Sequence, residues 1–219
     1  MPRVTAAHEQ AVRKRIVDAA ILVFGEMGYQ RATIQDVVRA SGLSVGAVYS
    51  HFRSKEELFV VACQCQMEEQ KVELRLRMAE LSPLSDRLRS AVDYAVASGM
   101  EDSNERSFRA HSWTQAAESP ELRQILRDRH TEMVAFSRLV LQEAVVRGEL
   151  PGWIDADRIA SAFVTLIDGF VVRAIEAADL SAEDARREAY SLLELLLAAP
   201  AAVPEAVQKL RASAVGAAG

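Results

Sequence analysis

The sequence predicts an all-α fold, an N-terminal three-helix helix-turn-helix unit followed by a larger helical part, on three observations. Apolar residues recur at three- and four-residue steps almost throughout, no stretch alternates apolar and polar residues long enough to suggest a strand, and helix-start signals punctuate the chain. With 219 residues and 50% of them hydrophobic, the chain is long enough to bury a substantial core.

The first helix carries Val12, Ile16, Ala19, Ala20, Val23 and Met27 on one apolar stripe. Gly28 ends it in the manner of a left-handed cap. In the run TIQD, the Thr33 hydroxyl is followed three residues later by a carboxylate that can reach back to free backbone amides, which opens a second helix at 34 to 40. Ser41-Gly42-Leu43 makes a tight corner, and Ser44 caps a third helix at 45 to 51, which is helix-turn-helix spacing. A helix this short is marginal in water, so Val37, Leu43, Val48 and Phe52 must pin it against the first.

Start signals at SKEE (54 to 57), Ser82-Pro83, Ser119-Pro120 and SAED (181 to 184) each open a further helix. They delimit helices at 55–79, 84–99, 104–117, 120–148, 156–178 and 182–199. The organisation expected is a helix-turn-helix unit over 1–54, a larger helical unit over 55–200, and an alanine-rich tail over 201–219.

The formal charge of −5 is unevenly divided: residues 1–60 carry 8 Lys+Arg against 6 Asp+Glu, and the remainder 18 against 25. A polyanion contact therefore belongs at the N-terminal end. Packing leaves Ser44, Val45, Gly46, Ala47, Tyr49, Ser50 and His51 on the outer face of the third helix. Small leading residues let its backbone approach the major groove, its free amides meet phosphate, and Val45 and Ala47 are suited to thymine methyls.

The runs FGEMGYQR at 24–31 and TIQDVVRASGLSVGAVYSHFRSKEEL at 33–58 resemble the DNA-binding domain of the TetR family of transcriptional regulators. The matching residues are Phe24, Gly28, Thr33, Asp36, Val37, Ala40, Gly42, Ser44, Gly46, Tyr49, Phe52, Lys55, Glu56 and Leu58. Two departures stand out: Gly25, where alanine is commoner, should weaken the first helix by about 1 kcal/mol, and Ala47 replaces a frequent threonine or serine. The resemblance implies phosphate contacts from Thr33, Ser44, Tyr49 and Lys55, with His51 adding a phosphate or base contact. Each has a plainer alternative: Tyr49 packing against the first helix, His51 a solvated edge residue, Lys55 a helix-surface cation beside Glu56 and Glu57.

Past residue 60 the motifs thin out, but the layout agrees with the family. IASAFVTLIDGFVVRAI (159–175) is apolar nearly all round, interrupted mainly by Asp168 and Arg173, so it must be covered on several sides. In such proteins the last two long helices form a four-helix homodimer interface, which here implies Phe170 and Ala174, then Ala185, Ala189, Leu192, Leu193 and Leu196. The same stripes would serve equally as monomer core. Two-fold symmetry would select a palindromic operator in double-stranded DNA, and repression is the commoner mode in the family.

The resemblance further implies a pocket for a small-molecule effector among the middle helices. Trp113, Phe136 and Phe163 are the first candidates for walls, with His111 and Gln115 as polar handles. Met67, Tyr94, Phe108, Met133, Val140 and Ile167 complete the candidates, although the same residues suit a closed core. No charge cluster marks this set, which implies a mostly hydrophobic effector. The fourth helix, starting at Lys55 beside the DNA and running into the core, is the natural lever.

Enzymatic chemistry is not expected. The histidines at 8, 51, 111 and 130 fall in no metal or triad spacing, and no glycine-rich phosphate loop follows a strand, so neither a metal nor a cofactor is implied. Cys63 and Cys65 point about 200° apart on a helix, which disfavours joint chelation of one metal. With no disulfide framework, signal peptide or membrane span legible, a cytoplasmic protein is expected.

Overall fold

In the computed structural model, residues 6–79, 83–176, 181–198 and 205 are described, without the side chains of 171 and 174–176. Apart from Glu205, the tail expected over 201–219 lies outside these residues. The described chain is helical, in the order α1 (Ala6–Met27), α2 (Ile34–Ser41), α3 (Val45–His51), α4 (Lys55–Ala79), α5 (Leu84–Val96), α6 (Ser103–Ala116), α7 (Pro120–Val146), α8 (Ala156–Glu176) and α9 (Ala182–Leu197).

Local chemistry accounts for the ends. Gly28 and Gly42 sit at φ 77° and 63°, left-handed positions where a side chain would clash with its own carbonyl. Thr33 and Asp36 form a reciprocal capping box at the start of α2. The hydroxyls of Ser44, Ser119 and Ser181 each accept an amide at the first turns of α3, α7 and α9, and Asp102 does so for α6.

One element departs from expectation. The α-helix expected over 84–99 stops at Val96 and continues as a π-helical turn over Ala97–Glu101, where the Asp102 amide reaches back to the Ala97 carbonyl. The widened turn buries Ser98 and Gly99 and brings the chain round into α6. Such wide turns are uncommon and cluster at functional sites.

Two cores result. The first joins Ile16, Phe24, Val37, Val48 and Phe52 of the N-terminal helices to Leu58 and Phe59 of α4 and Phe108 of α6. Its centre is aromatic, with Phe59 edge-on to Phe24 at 5.0 Å between ring centroids and 5.5 Å from Phe108. The helix-turn-helix is therefore closed from below by α4 and α6, beyond the boundary expected at residue 54. The second core gathers the C-terminal half of α4 with α5, α7, α8 and α9.

Gly25 explains its own departure from the family pattern. A Cβ built there would lie 2.1 Å from Asn104 Oδ1 and 2.8 Å from the Asn104 backbone oxygen. The missing side chain is what lets α6 seat against α1. Gly25→Ala is therefore expected to destabilise the fold by about 1–3 kcal/mol through overpacking, opposite in sign to the roughly 1 kcal/mol that helix propensity alone would add. Urea unfolding read at both domains decides the sign, and a more stable variant would remove the close-approach explanation.

Candidate nucleic-acid interface and interior cavity

The outer face of α3 is built by burying its inner face. Val48 is fully buried against the first core and Phe52, at the C-cap, follows it inside with the Arg13 guanidinium over its ring at 5.2 Å. Ser44, Val45, Gly46 and Tyr49 remain exposed, while Ala47 and His51 are half-buried. Tyr49 is 51% exposed, so packing against α1 does not account for it. Nothing lies within 4 Å of the position a Cβ would take at Gly46, which leaves the leading turn open to approach.

Thr33 is exposed at the start of α2, its hydroxyl donating to Asp36 Oδ2 at 2.6 Å. Lys55 sits differently from the outward cation the sequence suggested. Its ammonium donates to the Tyr29 and Ala32 carbonyls at 2.9 and 3.2 Å, is 3.5 Å from that of Gln30, and lies 4.4 Å over the Tyr29 ring. The Tyr29 hydroxyl in turn donates to Glu56 at 2.9 Å, and burial, then Glu56, pushes its pKa up to about 12. Lys55 thus clamps the turn between α1 and α2 to the start of α4.

A cavity of about 70 Å³ lies within the second core, on the side toward the first, walled by α4, α5, the π turn, α6, α7 and α8. Of the residues expected to line a pocket, Met67, Tyr94, Met133, Phe163 and Ile167 do so. The other six are placed elsewhere. Phe108 is spent in the first core, Val140 in the second, and Phe136 lies under the Arg75 guanidinium at 5.5 Å. His111 presses on Gly28, with its ring carbon 2.9 Å from where a Cβ would be, and burial followed by Arg31 holds its pKa below the ordinary value. Gln115 accepts from Gln30 at 3.3 Å, and half-buried Trp113 is not among the lining residues. Helix periodicity identifies an inward stripe on α6 but not which neighbour it meets, and here that neighbour is α1.

The expected absence of charge is also corrected. Lys71, Arg109, Arg129 and Asp168 line the cavity, with Gln70, Ser98 and Ser137. Arg129 Nη2 donates to both Asp168 oxygens at 2.9 and 3.0 Å, and Arg109 Nη2 pairs with Glu105 at 3.2 Å. Burial pulls the Arg109 pKa down and pushes that of Glu105 up. The Glu105–Arg109 spacing reads in sequence as a solvated helix pair; the isolated Asp168 in apolar α8 was the signal that pointed inward.

The expected dimer stripe is largely monomer core. Ala185, Ala189 and Leu193 on α9 and Phe170 on α8 are buried within the chain, α9 packing on α5, and Leu196 is half-buried against the same core. The Ala174 side chain lies outside the described residues. Left uncovered are Leu192 at 48% and Leu195 at 72%, with Ala162, Thr165 and Val172 along α8.

Cys63 is buried, which pushes its thiol up to about 12 and leaves it little thiolate for redox chemistry. Among the described residues no cluster of metal-ligating side chains occurs, and no helix is long and apolar enough to cross a membrane.

A capped, outward-facing α3 behind a tight glycine corner, set on an all-helical body, defines a helix-turn-helix DNA-binding regulator. Two family models match the chain: bacterial regulatory proteins of the tetR family over residues 16–62, and the C-terminal domain of BetI-type transcriptional repressors over 84–198. The chain belongs to the TetR family of transcriptional regulators, which are non-enzymatic. It is 31% identical over 195 residues to the regulator YfiR of Bacillus subtilis, covering 82% of this chain and 90% of that one. It is 27% identical over 184 residues to the regulator SrpR of Pseudomonas putida, covering 84% of each. A regulator from Saccharomonospora viridis in complex with choline shares the fold, with a TM-score of 0.75 at 20% identity, over 84% of this chain and 96% of that one.

The clamp geometry gives Lys55 a measurable role. Lys55→Met is expected to lower stability by about 2 kcal/mol, from the loss of charge-assisted bonds to carbonyls. Chemical unfolding checks this, and unchanged stability with weakened DNA binding would return Lys55 to phosphate contact.

Proposed function

We propose that the protein is a ligand-responsive repressor that binds a palindromic operator as a homodimer and is released when a small molecule enters the interior cavity. The observation that carries this reading is the pairing of an open, small-residue α3 tip with a walled cavity whose α4 and α6 run to the helix-turn-helix. Ser44, Tyr49 and the amides at the start of α3 meet phosphate, Thr33 does so from the start of α2, and Val45, Gly46 and Ala47 allow close approach to base edges. His51 sits at the rear of α3, suited to the flanking backbone.

The dimer face assigned is the uncovered one: Ala162, Thr165, Gly169 and Val172 on α8 with Leu192 and Leu195 on α9. Gly169 has no atom within 4 Å of a would-be Cβ, which suits close helix approach. Two-fold pairing there sets the two α3 helices roughly 34–36 Å apart, or slightly more, on successive turns of one DNA face. Release follows because a ligand that favours one spacing of the reading helices shifts the population toward it. The choline found in the Saccharomonospora protein supports a small-molecule cavity in this fold.

Selection of binding sites from randomised duplex DNA is expected to return a palindrome, and its absence at low salt would overturn the repressor reading. Tyr49→Ala should weaken binding by about tenfold, at similar size across sequences, as the loss of a phosphate contact predicts. Equal losses on specific and random duplexes would bear this out; a loss confined to the operator would make Tyr49 a base reader. For the interface, Leu195→Glu is expected to yield monomers by sedimentation with the helical signature intact. A variant that stays dimeric would exclude this face.

A further inference from the structure

The polar groups of the cavity are unevenly supplied with donors and acceptors. Lys71, Arg109 and Arg129 face it against a single carboxylate, Asp168, and both Asp168 oxygens are already taken by Arg129. Lys71 is engaged by Glu68 and Glu132 at 2.6 Å each. The two guanidiniums are less complete. Arg129 makes its hydrogen bonds through Nη2, and Arg109 uses Nη2 for Glu105 and, at 3.4 Å, for the Ser98 hydroxyl; among the described residues, neither donates from Nε or Nη1. The Arg109 side chain is only 12% exposed, and Arg129 is close enough for the two charges to repel. Their remaining nitrogens are not sealed away from water, so they are open to a ligand in the cavity, and an oxyanion satisfies such forked donors in pairs.

The rest of the wall is mostly apolar and adaptable. Met67, Leu74, Met78, Met133, Phe163 and Ile167 form it, and the three methionines can change rotamer to enlarge a space of about 70 Å³. A dry cavity of about 150 Å³ accommodates benzene, so the body of a fitting ligand is on the order of one ring or a short chain.

Building on the proposed effector role of this cavity, we infer that its ligand is a compact amphiphilic carboxylate whose oxygens bridge Arg109 and Arg129 while its apolar body lies among the methionines and Phe163. The wall has no spare carboxylate for a cationic head, and its lining cations Lys71, Arg109 and Arg129 oppose one. The location also explains how binding is felt: Arg109 is on α6, five residues after Asn104, the residue that touches Gly25 of α1. An oxyanion drawing Arg109 away from Glu105 therefore acts on the helix that seats the DNA-reading unit.

The test uses the full chain, titrated calorimetrically with hexanoate, benzoate and phenylacetate, each beside its methyl ester, and with choline and hexyltrimethylammonium. At least one carboxylate is expected to bind about tenfold or more tightly than its ester and than either cation. Arg129→Gln and Arg109→Gln should each reduce that affinity by about tenfold or more, and Arg109→Lys by less, since it keeps the charge but not the fork. Should Arg109→Gln fail to fold, Arg129→Gln and Arg109→Lys decide. Preference for an ester or a cation, no binding by any carboxylate, or unchanged carboxylate affinity in the folded variants would overturn the inference. Operator release, followed with the same compounds, separates the two readings. Release by a cation alone rejects the carboxylate and keeps the effector role; a carboxylate that binds at the arginines without release keeps the carboxylate and rejects induction.

Discussion

The close approach of α1 to α6 at Gly25 and Asn104 is the constraint on which the rest of the molecule depends. A glycine in the middle of α1 costs helix stability, about 1 kcal/mol, and a Cβ at that point would meet the Asn104 side chain at 2.1 Å and its backbone oxygen at 2.8 Å, the second of which no rotamer change relieves. Accepting the glycine lets α6 drop onto α1. Phe108 then reaches Phe59, and His111 closes over Gly28 at the left-handed end of the helix. The three N-terminal helices consequently do not complete a core by themselves. Their apolar centre is finished by α4 and α6, and the orientation of α3 is inherited from both.

That arrangement gives the DNA-reading unit two attachments with different physics. At α4 apolar packing through Leu58 and Phe59 is joined by a polar clamp: Lys55 holds the carbonyls of the turn after α1, and Tyr29 and Glu56 lock the same turn from the side. At α6 it is steric, made of backbone contact and aromatic packing. Steric seams in close-packed interiors have few intermediate arrangements, so a small shift of α6 is passed on or resisted as a whole. The Asn104 Oδ1 atom is buried without a partner, which marks the seam as a place where packing has prevailed over hydrogen bonding.

Much of the scaffold was legible in the sequence because capping chemistry is local. Thr33 with Asp36, Gly42 and Ser44 define α2 and α3 to within a residue, and the small face of α3 follows once Val48 and Phe52 turn inward. Partner choice was not legible, because a stripe says that a helix is covered and not by what. The α9 stripe of Ala185, Ala189 and Leu193 meets α5 within the chain, leaving Leu192 and Leu195, one helical face away, for anything outside. Buried charge was the other blind spot. Glu105 and Arg109 have the spacing of an exposed helix pair, and Lys55 is followed by two acids that suggest solvent, yet Glu105 accepts from Gln70 of α4, Arg109 is largely buried, and Lys55 turns to the carbonyls of the turn after α1. The reason for glycine at position 25 appears only with α6 in place.

A ligand can shift a regulator only by preferring one of its arrangements, so the position of the cavity matters more than its size. It is bordered by Met67 and Leu74 on α4 and by Arg109 on α6, the two helices that carry the DNA-reading unit. Expansion between them must change their separation or tilt one of them, and neither can move without acting on α1: α4 through Lys55, α6 through Gly25. A cavity placed among α5, α7 and α8 alone would need a longer relay to reach α3. In the proposed mechanism the single lever on α4 therefore becomes two, Lys55 on α4 and the Gly25 contact of α6, that meet at the same end of α1.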